Sequence, residues 1–223
     1  MQRLLRRLAI VASLLVAATS TSAQKVEFSA DMQILDANGQ SQTVKLYVGN
    51  KRARLDRSGQ GNEAAGIGSL LIDFENQFIF LLIPQSKLYL QVAGSLGMPF
   101  YRAAWMFRPD SPDRPCSGWV TEADQRGISL RCQPAGQDTV DGRTTQKWDG
   151  TTSEGGHGSL WYDPNLNFIV KVLRVTKSGV QTGYELHNIK TGTQPPALFE
   201  FPSDYREFTL PKLLDALTGF GQW

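Results

Sequence analysis

The chain has 223 residues, of which 41% are hydrophobic and 20% charged, and a formal charge of +2. That length accommodates one domain with a sizeable core. The basic excess sits in Arg3, Arg6 and Arg7; beyond residue 23 the 23 basic residues fall to 20 against 21 acidic ones, so no basic face invites nucleic acid.

The opening MQRLLRRLAIVASLLVAATSTSAQ reads as a signal peptide over residues 1–23: an arginine-rich start, an apolar run from Leu8 to Ala18, then small residues. The run is shorter than the roughly 20 apolar residues of a spanning helix. The mature chain, residues 24–223, is expected to start near Gln24 as a single periplasmic or secreted domain without a stable membrane span.

Val26, Phe28, Ala30, Met32 and Ile34 alternate with polar residues, as do Val44, Leu46 and Val48 after the turn DANGQ, and both segments read as half-buried strands. In KRARLDR, Arg52, Arg54 and Asp56 share one face, expected to be solvated or to meet a head group or partner, and Ala53 and Leu55 share the other. FIFLLIP breaks the alternation. Phe78, Phe80 and Leu82 point one way, Ile79, Leu81 and Ile83 the other, so both faces need cover.

Ala93–Phe107 is rich in glycine, proline and aromatics and leaves room for a short helix. Its AGSLG loosely matches a serine-hydrolase elbow at Ser95, with Asp110, Asp163, His157 and His187 following, but that elbow crowns a parallel sheet and this chain supplies hairpins. Cys116 and Cys132 flank the turn-like ADQRG and are expected to form a disulfide across a hairpin, as suits an exported protein. Two cysteines and the distant histidines do not make a zinc pattern, and no metal or cofactor is expected.

Asp141-Gly142 marks a tight hairpin, SLWYDPNLNFIVKVLRV a second, and SEGGHG a loop without the helix a phosphate cradle needs. The spacing of Leu210–Phe220 predicts an amphipathic helix. The whole is mainly β: a strongly curved antiparallel sheet or unclosed β-barrel with a few short lid helices. One face of Phe78–Ile83 would line its concave interior, and the other would pack beneath a neighbouring layer.

GNKRARLDR, LIDFENQFIFLLIPQSKLYLQV and ELHNIKTGTQPPALFEFPSDY, in that order, resemble exported bacterial proteins of the LolA/LolB lipoprotein-localisation fold over roughly residues 24–209. The resemblance implies an unclosed antiparallel barrel with helices lidding an apolar cavity, and it carries over no functional residue. The expectation is a non-catalytic binder or carrier of a lipid or an acylated protein. An envelope sensor or adaptor that binds a protein partner is the alternative, and a hydrolase using Ser95 a remote one. Phe78, Phe80, Leu82, Trp105, Phe107 and Trp161 are the expected ligand contacts.

Overall fold

The structure, a computed structural model, describes residues 26–57, 68–76, 78–92, 107–109 and 111–208. The expected signal segment, Ser95, Trp105, Asp110 and the helix expected over Leu210–Phe220 lie outside them. Twelve strands form one sheet: β1 (Phe28–Leu35), β2 (Ser41–Val48), β3 (Arg52–Arg57), β4 (Ser69–Asp73), β5 (Phe78–Ile83), β6 (Leu88–Val92), β7 (Leu130–Val140), β8 (Arg143–Thr152), β9 (His157–Asp163), β10 (Phe168–Val175), β11 (Gln181–Thr191) and β12 (Arg206–Glu207). Their order is β12-β6-β5-β4-β3-β2-β1-β11-β10-β9-β8-β7, so β7 and β12 are unjoined edges and the expected unclosed half-barrel is what forms. Neighbours are antiparallel except for β12, which runs parallel to β6.

The hairpins follow from local chemistry. Asp36 Oδ1 accepts the backbone N–H groups of Asn38 and Gln40, Asp73 Oδ1 those of Glu75 and Asn76, and Asp163 Oδ1 those of Asn165 and Leu166, so an aspartate organises each of three turns. Asp141 and Gly142 both take positive φ, 50° and 72°, as the two-residue turn between β7 and β8 requires. The Asp141 carboxylate then accepts the N–H groups of Asn188 and Ile189 on β11, at 3.0 and 2.7 Å. This contact curls β7–β11 back on itself. At the same place Asn188 has φ 53°, and the β1–β11 register slips between Ser29 and Asp31, which is why Tyr184, Leu186 and Ile189 do not keep one alternation.

One face of the sheet, here the inner face, carries the large core. Ala30, Leu46, Leu55, Leu70, Leu81 and Leu90 lie opposite one another from β1 to β6, and Ile34, Tyr184, Val172, Leu160 and Trp148 continue inward-facing rows from β1 to β8. Phe28 meets Phe168 edge to face, with ring centroids 5.2 Å apart. The other, outer face is polar over β1–β3 but carries a second, smaller core of Leu71, Phe80 and Leu82, covered by Tyr89, Phe199, Phe201 and Tyr205. FIFLLI is thus apolar on both sides because β5 lies between two cores, with Ile79 and Leu81 in the first and Phe80 and Leu82 in the second.

The cover over the outer core is a strap from Gly192 to Phe208. It leaves β11, makes a 3₁₀ turn at Pro196–Phe199 across the outer face, and ends as β12 on the β6 edge. Arg52 Nη1 donates to Phe199 O at 2.8 Å and Arg54 Nη1 to Leu198 O at 3.3 Å, so these two arginines hold the strap where a solvated face was expected. Gly49 lies under it, since a Cβ there would stand 2.8 Å from the Phe199 ring.

The expectation of a hairpin between the cysteines is corrected. Ser117–Gln125 is a helix, α1, and the disulfide joins its N-cap residue Cys116 to Cys132 on β7. The ADQRG taken for a turn is the helix end: Gly127 has φ 73° and Ile128 N donates to Ala123 O, a glycine C-cap that leaves through the left-handed region.

Candidate apolar binding face

The two ends of the inner face differ. At the end near the β2–β3 and β4–β5 turns, Phe107 stacks on Phe168 at 5.8 Å and leans on Tyr184 at 5.4 Å, while Arg108 donates to the carbonyls of Asn50 and Gly49 and sits 4.3 Å over the Phe74 ring. Arg108 is 6% exposed, and burial draws its guanidinium down to about 10. Tyr184 is also buried; its hydroxyl donates to Ile169 O, and burial pushes the phenol well above the ordinary tyrosine value. Side chains fill this end.

The other end is the half of the sheet nearest the β6 edge. Leu70, Leu81, Ile83, Leu88 and Leu90 face inward and are only half-buried. Leu70 and Leu81 abut the large core, whereas Ile83, Leu88 and Leu90 belong to neither core among the described residues. Five aliphatic side chains therefore form a half-buried wall that continues the core across the described residues. Such a wall exchanges water for an apolar chain at about 0.8 kcal/mol per buried CH₂.

The six expected contacts are not brought together. Phe80 and Leu82 lie under the strap on the outer face, and Phe78, beside them, is 38% exposed. Trp161 points to the opposite side of β9 from Leu160, its ring flanked by Lys147 at 5.4 Å and Lys171 at 4.9 Å, and its Nε1 donates to Asp138. Phe107 packs on the inner face, Trp161 is buried as a member of the same large core, and Trp105 is outside the described residues. Alternation separates two faces of β5 but does not say which is inner, and a one-residue choice reverses the answer. The signal for the wall was the odd face of FIFLLIP together with the alternate leucines of KLYLQV.

The residues weighed for hydrolysis do not converge either. Asp163 is buried, pairs with Arg143 and caps its own turn. His157 opens β9, and His187 lies on β11. Among the described residues, no group of three or more His, Cys, Asp or Glu is placed to hold a metal. A groove of about 430 Å³ beside the strap is mixed in character, lined by Glu27, Arg52, Asp73 and Glu200 together with Pro196 and Phe199.

Asp73 in that groove carries a testable pH dependence. Burial alone would raise its pKa, but the backbone N–H and side-chain amide of Asn76 and the Arg52 guanidinium hold it below the usual aspartate value. A folded value below the unfolded one adds stability that is present above the unfolded pKa and lost as the pH falls through the folded value. The melting temperature is therefore expected to drop on acidification below about pH 4, and Asp73→Asn to flatten part of that slope. The remainder reflects groups such as Asp31, lowered first by its hydrogen bond from Lys45. An unchanged slope in a pH series of thermal melts would contradict this.

No protein-family model and no curated protein matches the chain. Solved structures do. An uncharacterised conserved protein from Thermus thermophilus superposes with a TM-score of 0.51 at 8% identity, over 83% of this chain and 91% of that one. MucB of Pseudomonas aeruginosa, in its complex with MucA, superposes with a TM-score of 0.51 at 12% identity, over 84% of this chain. The match spans 59% of that chain's length. A LolA superfamily protein from Nitrosomonas europaea also matches, at a TM-score of 0.34 and 10% identity, over 80% of this chain and 91% of that one. The fold these superpositions share is a single unclosed antiparallel sheet, with a large core on one face. Among the described residues, no helix is long and apolar enough to cross a membrane.

Proposed function

We propose that this is a non-catalytic periplasmic protein that holds a hydrophobic ligand, a lipid or an acylated protein, against the inner face of β4–β6. The half-buried wall of Leu70, Leu81, Ile83, Leu88 and Leu90 carries this reading, because the remainder of the inner face is spent on internal packing. Nothing polar breaks the row from Leu55 through Leu70 and Leu81 to Leu90. An acyl chain needs no directional partner there, only area from which water is excluded.

The test is binding of a fluorescent fatty acid, cis-parinaric acid, to full mature protein. Leu81→Gln with Leu90→Gln is expected to weaken binding roughly tenfold, the loss of one to two kcal/mol of apolar contact. Phe80→Ala, on the opposite side of β5, is expected to leave affinity within about twofold at a temperature where it is folded. Equal losses from both variants would place the site elsewhere.

A second reading uses the same fold to bind an envelope protein. It draws on the MucB structure solved as a complex with MucA. Copurification of a stoichiometric protein in place of lipid favours it.

A further inference from the structure

Charged side chains are almost never fully buried without an opposite charge beside them. Arg52, Arg54 and Arg143, all more exposed than Arg108, each pair with an aspartate: Asp73, Asp56 and Asp163. Arg108 is 6% exposed and, among the described residues, pairs with no carboxylate. Desolvation is the one influence on its guanidinium, with no neighbouring anion to offset it. Its contacts are uneven. Nη1 donates to Asn50 O at 2.8 Å, Nη2 reaches Gly49 O only at 3.4 Å, and Nε is buried with no hydrogen-bond partner among the described residues. Nε and Nη2 form the side edge of the planar fork, whose two parallel N–H groups match the two oxygens of a carboxylate. That edge is the one the protein's own carbonyls leave nearly unused.

Its position relates it to the wall. The guanidinium stands 4.3 Å over the Phe74 ring, and Phe74 directly follows β4. Leu70 of the wall is four residues back along that strand, about 13 Å. Between them Ile72 and Ile79, paired across β4 and β5, belong to the same inner core as Phe74. An unbroken apolar track therefore runs from Leu70 and Leu81 past Ile72 and Ile79 to Phe74, and it ends beneath a cation. A fatty acid has the same order, a long apolar chain that ends in a carboxylate.

We propose that Arg108 receives the carboxylate of a bound fatty acid, side-on through Nε and Nη2, with the acyl chain laid along this track to the wall. This rests on the binding reading above and narrows its ligand to an amphiphile with a carboxylate head. Pairing at Arg108 is stronger than at the surface because it takes place out of water.

The test titrates the protein with cis-parinaric acid and with its methyl ester at about pH 8, where the acid is ionised. The acid is expected to bind roughly tenfold tighter than the ester, the scale of one charge-assisted contact. Arg108→Gln is expected to bring the acid down to the ester's affinity while leaving the ester within about twofold. Arg108→Lys, a point charge without a fork, is expected to keep an intermediate preference. Leu81→Gln with Leu90→Gln is expected to weaken both probes alike. Equal affinity for acid and ester in the unsubstituted protein overturns the proposal while leaving acyl binding intact, and that comparison needs no variant to fold. A preference for the acid that survives Arg108→Gln also overturns it, and makes Arg108 only a clamp on the Gly49 and Asn50 carbonyls. Displacement of parinaric acid more readily by lysophosphatidic acid than by oleic acid gives the site to a phosphate and overturns the carboxylate. Failure of both probes to bind any form overturns the acyl reading, and the proposal with it.

Discussion

Phe80→Ala is expected to lower stability by about 3–4 kcal/mol, the range for removing a large buried aromatic, and the melting temperature by roughly 6–15 °C for a chain of this size. Phe80 is 8% exposed and sits at the centre of the outer core. Its ring meets Phe201 edge to face at 4.9 Å, Tyr89 at 6.3 Å and Phe78 at 6.2 Å, while Phe201 stacks on Tyr89 at 4.4 Å. Truncation leaves a cavity between β5 and the strap, and the strap's other holds are at its periphery: Arg52 and Arg54 on its carbonyls, Glu27 at its start, the exposed Lys87–Asp204 pair, and the β12–β6 backbone bonds at its end. The strap is therefore expected to loosen with the core it covers. Hydrogen exchange resolves this, with faster exchange at Arg206 and Phe208, whose N–H groups bond Lys87 O and Tyr89 O. A variant that melts within about 2 °C of the parent, below the shift such a truncation brings, would show the outer core to be an incidental contact.

The disulfide has the second large effect. Cys116 and Cys132 are separated by 16 positions, and opening a loop of that length is worth about 3 kcal/mol. Helix α1 depends on it more than the sheet does, because it has no fully buried residue and no side-chain cap at its N-terminus. Its other fastenings include the Trp119 ring beneath the Arg174 guanidinium at 3.6 Å and the packing of Trp119 and Val120 against the large core. In Cys116→Ala/Cys132→Ala, amide protection over 117–125 is expected to collapse while β1, β2 and β11 keep theirs. Retained protection in the helix would mean that packing alone holds it.

Much of the sheet was legible because its signals are local. Alternation placed Phe28, Ala30, Met32, Leu46 and Val48 in the core, and Asp141-Gly142 fixed its hairpin. Helix α1 was not legible, since SGWVTEADQ has a weak apolar stripe and ends in a glycine that also signals a turn. The faces of β5 were separable in sequence, but their assignment depends on residues far away. Phe199 and Phe201, over a hundred positions later, decide that Phe80 and Leu82 face outward, and no local pattern announces a strap folded across the back of a sheet.

Native mass spectrometry of the protein, released gently from the cells that make it, tests the central claim most directly. The predicted result is an added mass of one lipid or acylated species, lost from the Leu81→Gln/Leu90→Gln variant and kept by Phe80→Ala at a temperature where it remains folded. Bare polypeptide mass throughout, from protein that also fails to take up cis-parinaric acid, would contradict it.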